Sequence, residues 1–203
     1  MRAALALALA ASAGVPAARA QAPTAPPPPI AGKTVNLKLL QGTVLYKVPG
    51  AHDFVRLAQE VQVPVDTTLD TVNGRVNITA ASDLAGGTNK SWFYDGLFKV
   101  SQAATARPVT ELALAGPKPS CGAAAAAKKV KRRKLWGDGS GQFRTRGQFS
   151  AATVRGTKWV VIDTCQGTIT RVVRGVVAVR DFRTGRTVLL RAGEQYLARA
   201  KAK

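Results

Sequence analysis

Along most of the chain, apolar residues alternate with polar ones at a period of two, the spacing that sends successive side chains to opposite faces of a strand. Thr34–Leu40 sets Val35, Leu37 and Leu39 against Asn36 and Lys38, and Gly42 breaks that run before another at Thr43–Val48. Phe54–Leu57 is short, and Pro64 marks a strand edge, because proline cannot donate to a ladder. Leu69–Val72 and Val76–Ile78 flank Asn73-Gly74, a pair that tolerates the positive φ of a two-residue turn, so a hairpin is predicted over Thr68–Ala80. Trp92–Val100 is aromatic and β-prone, and Val109–Ala115 alternates again.

The second half keeps the habit. Phe143–Val154 and Gly156–Ile162 read as consecutive strands, and Cys165-Gln166-Gly167 turns into Thr168–Arg174. Gly175 suits a bulge or kink in a Val-rich run, and Thr184-Gly185 joins Val176–Arg180 to Thr187–Leu190. Ala192-Gly193-Glu194 turns once more before Gln195–Ala198. Short strands with turn residues between them, and no amphipathic helix beyond the first residues, predict an all-β sandwich or barrel rather than a βαβ fold.

Two stretches depart from this pattern. Met1-Arg2 is followed by an uncharged, alanine- and leucine-rich run from Ala3 to Ala18 and then by Ala18-Arg19-Ala20, the small-x-small pattern of an export signal. At 16 residues the run is short of the ~20 that span a bilayer. Residues 1–20 are therefore read as a cleaved signal peptide, which places the mature chain outside the cytoplasm, secreted or in the cell envelope. Residues 21–32, with Pro26 to Pro29 consecutive, are a polyproline-type linker. The second departure is 116–134. After Gly-Pro-Lys-Pro-Ser-Cys-Gly and five alanines it runs Lys128-Lys129-Val130-Lys131-Arg132-Arg133-Lys134, with no hydrophobic period, and is expected to be a disordered basic loop inserted between β segments.

Charge sharpens the picture. The 203 residues hold 30 Lys+Arg and 11 Asp+Glu, a formal net of +19, but the excess is one-sided. Residues 21–117 carry 8 basic and 7 acidic side chains, whereas 118–203 carry 20 basic and 4 acidic, and residues 199–203 form a short basic tail. On strands, the polar positions point away from the apolar core face. One half of the surface then holds a positive potential that attracts polyanions. The candidate contacts are Lys128, Lys129, Lys131, Arg132, Arg133, Lys134, Arg144 and Arg146.

Catalytic and metal chemistry find little to work with. His52 is the single histidine, which excludes multi-histidine metal sites. No Gly-x-Ser-x-Gly, His-Glu-x-x-His or Gly-Lys-Ser/Thr motif occurs, and Asp138 and Ser140 in Gly-Asp-Gly-Ser-Gly offer too few oxygens for a calcium loop. No cofactor is expected, nor an enzyme. Cys121 and Cys165 are the two cysteines, and oxidising surroundings make a disulfide between them the expectation, with free thiols the alternative.

The segments Ala152-Thr-Val-Arg-Gly-Thr-Lys-Trp-Val160, Thr170–Val179 with Arg174-Gly175-Val176, and Val188-Leu-Leu-Arg-Ala-Gly-Glu194 together resemble the FecR-like extracytoplasmic domain. Gly42-Thr-Val44, Val48-Pro-Gly50, Pro64-Val-Asp66 and Leu69–Val76 are compatible with its opening strands, so the resemblance covers about residues 42–195. Arg133–Arg144 is similar to secreted actinobacterial relatives of that domain. The resemblance implies a single domain over 33–198, a jelly-roll-like β-sandwich without catalysis. It does not extend to transmembrane signalling, for which regulators of this type carry a cytoplasmic segment and a membrane helix that have no counterpart here.

Three functions remain in view. One is a non-enzymatic envelope module that holds an acidic polymer or an anionic lipid surface. Another is a scaffold domain whose basic surface has no polyanion ligand. The third is nucleic-acid binding through Lys128–Lys134. Export counts against the third, as does the lack of an aromatic-rich strand pair that would serve as a stacking platform.

Overall fold

The computed structural model describes residues 25–119, 121 and 133–200. The export signal expected at 1–20, the start of the linker, Lys128, Lys129, Lys131 and Arg132, most of the basic insertion, and 201–203 lie outside the described residues. Among the described residues thirteen strands pair into one hydrogen-bonded sheet, and no helix occurs.

Four strands are long: β1 (Thr34–Lys47) and β4 (Thr68–Ala81) at 14 residues each, β10 (Ser150–Thr164) and β11 (Gly167–Asp181) at 15. Between them lie strands that behave as broken long ones. The C-terminal half of β4 pairs with β5 (Thr88–Tyr94) and its N-terminal half with β6 (Leu97–Gln102). At the break the Asp95 N–H donates to the Thr71 carbonyl, and the Thr71 N–H to that of Gly96, each at 2.8 Å. Likewise β10 pairs with β8 (Arg133–Gly139) through one half and with β9 (Phe143–Arg146) through the other. Where β6 and β9 diverge, β7 (Thr110–Leu114) fills the gap, antiparallel to β6 and parallel to β9. The edges are short: β2 (Val55–Arg56) and β3 (Val61–Pro64) on β1, β12 (Thr187–Arg191) and β13 (Gln195–Arg199) on β11.

Each long strand changes partners part-way, and Phe93 on one side of the change packs on Phe98 and Phe143 from the other, so the sheet folds over into two facing layers. The first contains β5, β8, β13 and the adjoining halves of β1, β4, β10 and β11; the second contains β6, β7, β9, β12 and the other halves. This is the sandwich-like, single-domain all-β architecture that the alternation predicts. The buried residues form one cluster drawn from both layers.

The bends correct the strand boundaries read from the sequence. Asn73-Gly74 makes no hairpin turn. Strand β4 runs through it, with Gly74 opposite Gly42 and Asn73 opposite Thr43 of an equally uninterrupted β1. A Cβ on Gly74 would stand 2.4 Å from the Thr43 carbonyl oxygen, so glycine is needed here for close backbone approach at the bend. The second half has the same device. Gly156 and Gly175 sit inside β10 and β11 with φ of 61° and 80°, and a Cβ on Gly175 would meet the Gly156 carbonyl at 2.5 Å. The runs read as separate strands before and after Gly156 are therefore one bent strand, and the kink expected at Gly175 falls inside the continuous β11.

Aromatic packing holds the layers together. Across the first layer the inward row is Leu39, Val76, Phe93, Gly137, Trp159 and Val172. Phe93 lies 6.0 Å from Phe98 and 5.5 Å from Phe143 of the second layer, and 6.0 Å from Trp159 edge-to-face. Gly137 makes room for this arrangement: a Cβ there would meet the Trp159 ring at 2.3 Å. The indole N–H, fully buried, donates to Thr145 Oγ1 at 3.1 Å.

The end of the proline spacer docks on the domain. Pro27 O accepts from Asn36 Nδ2 at 2.8 Å and from Gln62 Nε2 at 2.9 Å. At the other boundary, Arg133 and Lys134, expected in the loop insertion, open strand β8.

Gly137→Ala should lower stability by about 1–3 kcal/mol, the usual cost of overpacking a filled core. A urea titration should show an earlier midpoint with an unchanged slope.

Candidate polyanion-binding face

Four of the eight cations proposed from the sequence fall among the described residues, and each already meets a carboxylate. Arg133, with a side chain 12% exposed, places Nε 3.3 Å from Asp163 Oδ2, whose side chain is 0% exposed. It also donates to the backbone carbonyls of Leu114 and Gly116. Arg133 thus ties β8 to the end of β7, and its role in the fold is structural. Lys134 pairs with Asp95 at 2.5 Å. Arg144 and Arg146 share Glu111, at 2.8 and 3.3 Å.

The last pair opens onto a face that the sequence did not single out. On the second layer Phe143 and Thr145, Ala152 and Val154, Val177 and Val179, and Leu190 point inward, so the residues between them point out. Strand register then lines up Arg146, Ala151, Arg180 and Thr187 across four strands, and beside them Arg144, Thr153, Ala178 and Leu189. Arg191 stands opposite Val176 at the same outer face. Four arginines of β9, β11 and β12 thereby share one surface, with Glu111 of the neighbouring β7 between two of them and Glu194 accepting from the Arg191 N–H at 2.7 Å. Arg180 and Arg191 make no side-chain ion pair among the described residues, nor do Arg183 and Arg186 of the adjoining turn. Glu111 is largely buried, its side chain 15% exposed, and stays with Arg144, while the Arg146 side chain, 53% exposed, keeps donors open to water that a polyanion can meet without displacing Glu111.

The β11–β12 turn that carries Arg183 and Arg186 is held from below by Asp181. This buried carboxylate accepts from the Arg183 and Thr184 N–H groups at 2.8 and 3.0 Å, and from the Tyr196 hydroxyl at 2.8 Å. Burial by itself raises its pKa, but those three hydrogen bonds and the Arg183 charge outweigh it and hold the carboxyl below its ordinary value. The same contact with Asp181 pushes the Tyr196 hydroxyl up.

Cys121 and Cys165 form a disulfide with Cα atoms 5.5 Å apart. It joins the stretch after β7 to the β10–β11 turn, at the end of the sheet where Arg133 and Asp163 also meet.

Neighbouring strands do form an aromatic pair on the outer face of the first layer, where Tyr94 and Trp136 stack at 5.9 Å with rings 5° from parallel. The alternation Trp92-Phe93-Tyr94 carried half of the signal; the pairing of β5 with β8 carried the rest, and only the fold supplies it. His52 is exposed, and no three metal-ligating side chains cluster among the described residues. No helix among them is long and apolar enough to cross a membrane. No protein-family model, curated protein or solved structure matches the chain.

Two stability measurements follow from this geometry. Asp181→Asn should destabilise by about 1–3 kcal/mol at neutral pH, because charged acceptors bond backbone N–H groups more strongly than an amide does. The depressed pKa means that the wild-type advantage is complete above the unfolded-state value near 3.9 and disappears as pH falls through the folded value. Urea midpoints of wild type and Asp181→Asn should therefore converge on acidification. Reducing the disulfide, with its sequence separation of 44, should cost up to ~4 kcal/mol in the chain-entropy view, read as a lower melting temperature with reductant present.

Proposed function

We propose that this chain is a non-enzymatic, exported module of the FecR-like kind that binds an acidic polymer of the cell envelope through its basic C-terminal half. The observation that carries the reading is the outer arginine face: Arg144, Arg146, Arg180 and Arg191 on one surface, where Glu111 pairs with the first two and the side chains of Arg180 and Arg191 make no ion pair among the described residues. Such a face attracts a flexible polyanion over a distance and gains from many weak contacts at once. The disulfide is compatible with an oxidising compartment. The export pattern at residues 1–20 and the motifs Arg155-Gly156-Thr157 and Leu190-Arg-Ala-Gly-Glu194 support the same assignment.

An anionic lipid surface is the second reading. It draws on Leu189 at 67% exposure and on Phe182, which lies under Arg146 with the guanidinium 5.2 Å from the ring centroid. These two apolar side chains would enter the interface while the arginines meet headgroups.

The test is binding of polyphosphate and of phosphatidylglycerol vesicles by the purified mature chain. Arg180→Gln with Arg191→Gln should weaken polyphosphate binding about tenfold or more, at roughly 1 kcal/mol per removed cation, while Lys38→Gln in the first half leaves it unchanged. Vesicle binding that exceeds polyphosphate binding and depends on Leu189 would favour the lipid reading. Equal affinities for wild type and the double variant, or binding undiminished in molar salt, would contradict both.

A further inference from the structure

We infer that the outer face of the first layer is a separate saccharide subsite, centred on Trp92, that takes a uronic-acid polysaccharide; this rests on the reading of the chain as an acidic-polymer binder and names the polymer. Trp92 is 42% exposed although it sits mid-strand in β5, because Phe93 takes the core side of the alternation. Strand register sets it in a row with Lys38, Asn77, Asp138, Lys158 and Arg174. Beside the ring is a shallow depression of about 420 Å³, bordered by Trp92, Lys90 and Asn77 and by Ser140, Gly156 and Arg174.

These groups are complementary to an acidic sugar in three respects. A pyranose ring presents a face of C–H groups, and a flat indole with water on it is the surface that such a face can cover favourably. The hydroxyls at the ring's rim need donors and acceptors, and Asn77, Ser140 and the Asp138 carboxylate supply both kinds. A sugar carboxylate needs a cation. Lys90 and Lys158 have no ion-pair partner among the described residues, while Arg174 is oriented by its 2.8 Å bond to Asp138.

The same residues disfavour a single-stranded nucleic acid. Successive bases need successive open ring faces. Tyr94 is closed on one side by Trp136 and capped by Arg75, whose guanidinium lies 4.4 Å from the ring centroid. That leaves Trp92 as the open ring in this group, too few for a run of stacked bases.

The experiment compares polygalacturonate, polyphosphate and oligo-dT by titration, using intrinsic tryptophan fluorescence and calorimetry on wild type, Trp92→Ala and Trp92→Tyr. The expected result is a loss of at least tenfold for polygalacturonate in Trp92→Ala, largely restored in Trp92→Tyr, with polyphosphate affinity unchanged in all three. Unaltered thermal melts would exclude a folding defect, and retained polyphosphate binding gives a second check on the same samples. If polyphosphate binds but polygalacturonate binding ignores Trp92, the subsite is overturned and the polyanion reading stands. If oligo-dT binds more tightly than polygalacturonate and depends on Trp92, the subsite is overturned in favour of nucleic acid. If wild type binds none of the three, both readings fall.

Discussion

The close approach of backbones at the strand bends is the constraint on which the rest of this structure depends. A flat sheet of this many strands would leave its apolar face in water. Here the long strands turn over part-way and lay one half of the sheet against the other, which buries Phe93 and Trp159 against Phe98 and Phe143. The turn is feasible because Gly74 passes against β1 and Gly175 against β10 where no side chain would fit. Gly137 makes the corresponding concession within the core, leaving the space that the Trp159 ring fills.

Once the sheet is folded over, the period of two decides the chemistry of the surface. Inward valines and phenylalanines on β9 to β12 send neighbouring side chains outward, and Arg144, Arg146, Arg180 and Arg191 are among them. The acids there are largely committed elsewhere: Asp163 to Arg133 and Thr168, Asp181 to its turn, Asp138 to Arg174. The uncompensated charge is therefore ordered on faces rather than scattered. The outer face of the second layer offers guanidinium groups, while that of the first combines cations with an open indole.

Much of this was legible in the sequence. Alternation such as Val35, Leu37, Leu39 gave the strands and their inward faces, and the two cysteines pointed to their bridge. The unequal charge of the two halves located the basic surface. Two things were hidden for physical reasons. Asn73-Gly74 permits a two-residue turn locally, but here Gly74 serves the close approach to β1 instead, and what separates the two uses is whether another strand lies opposite, a long-range fact. Similarly, nothing local tells Arg133, buried against Asp163, from Arg180, open to water. Arg144 and Arg146 were identified from their charge alone. Arg180 and Arg191 join them only through the pairing of β10 with β9 and β11, and of β11 with β12. Trp92 and Phe93 are adjacent aromatics in an equally β-prone run, and only the pairing of β5 decides that Phe93 takes the core side and Trp92 the outer one.

The fold gathers arginines onto the outer face of β9 to β12, and in the proposed function this face receives an acidic polymer. Arginine side-chain Nε–H resonances followed by NMR during titration with polyphosphate report on it directly. Shifts should concentrate at Arg144, Arg146, Arg180 and Arg191, with Arg56 and Arg107 of the first half and the structural Arg133 unmoved. Shifts spread evenly over all arginines, or confined to the first half, would contradict it.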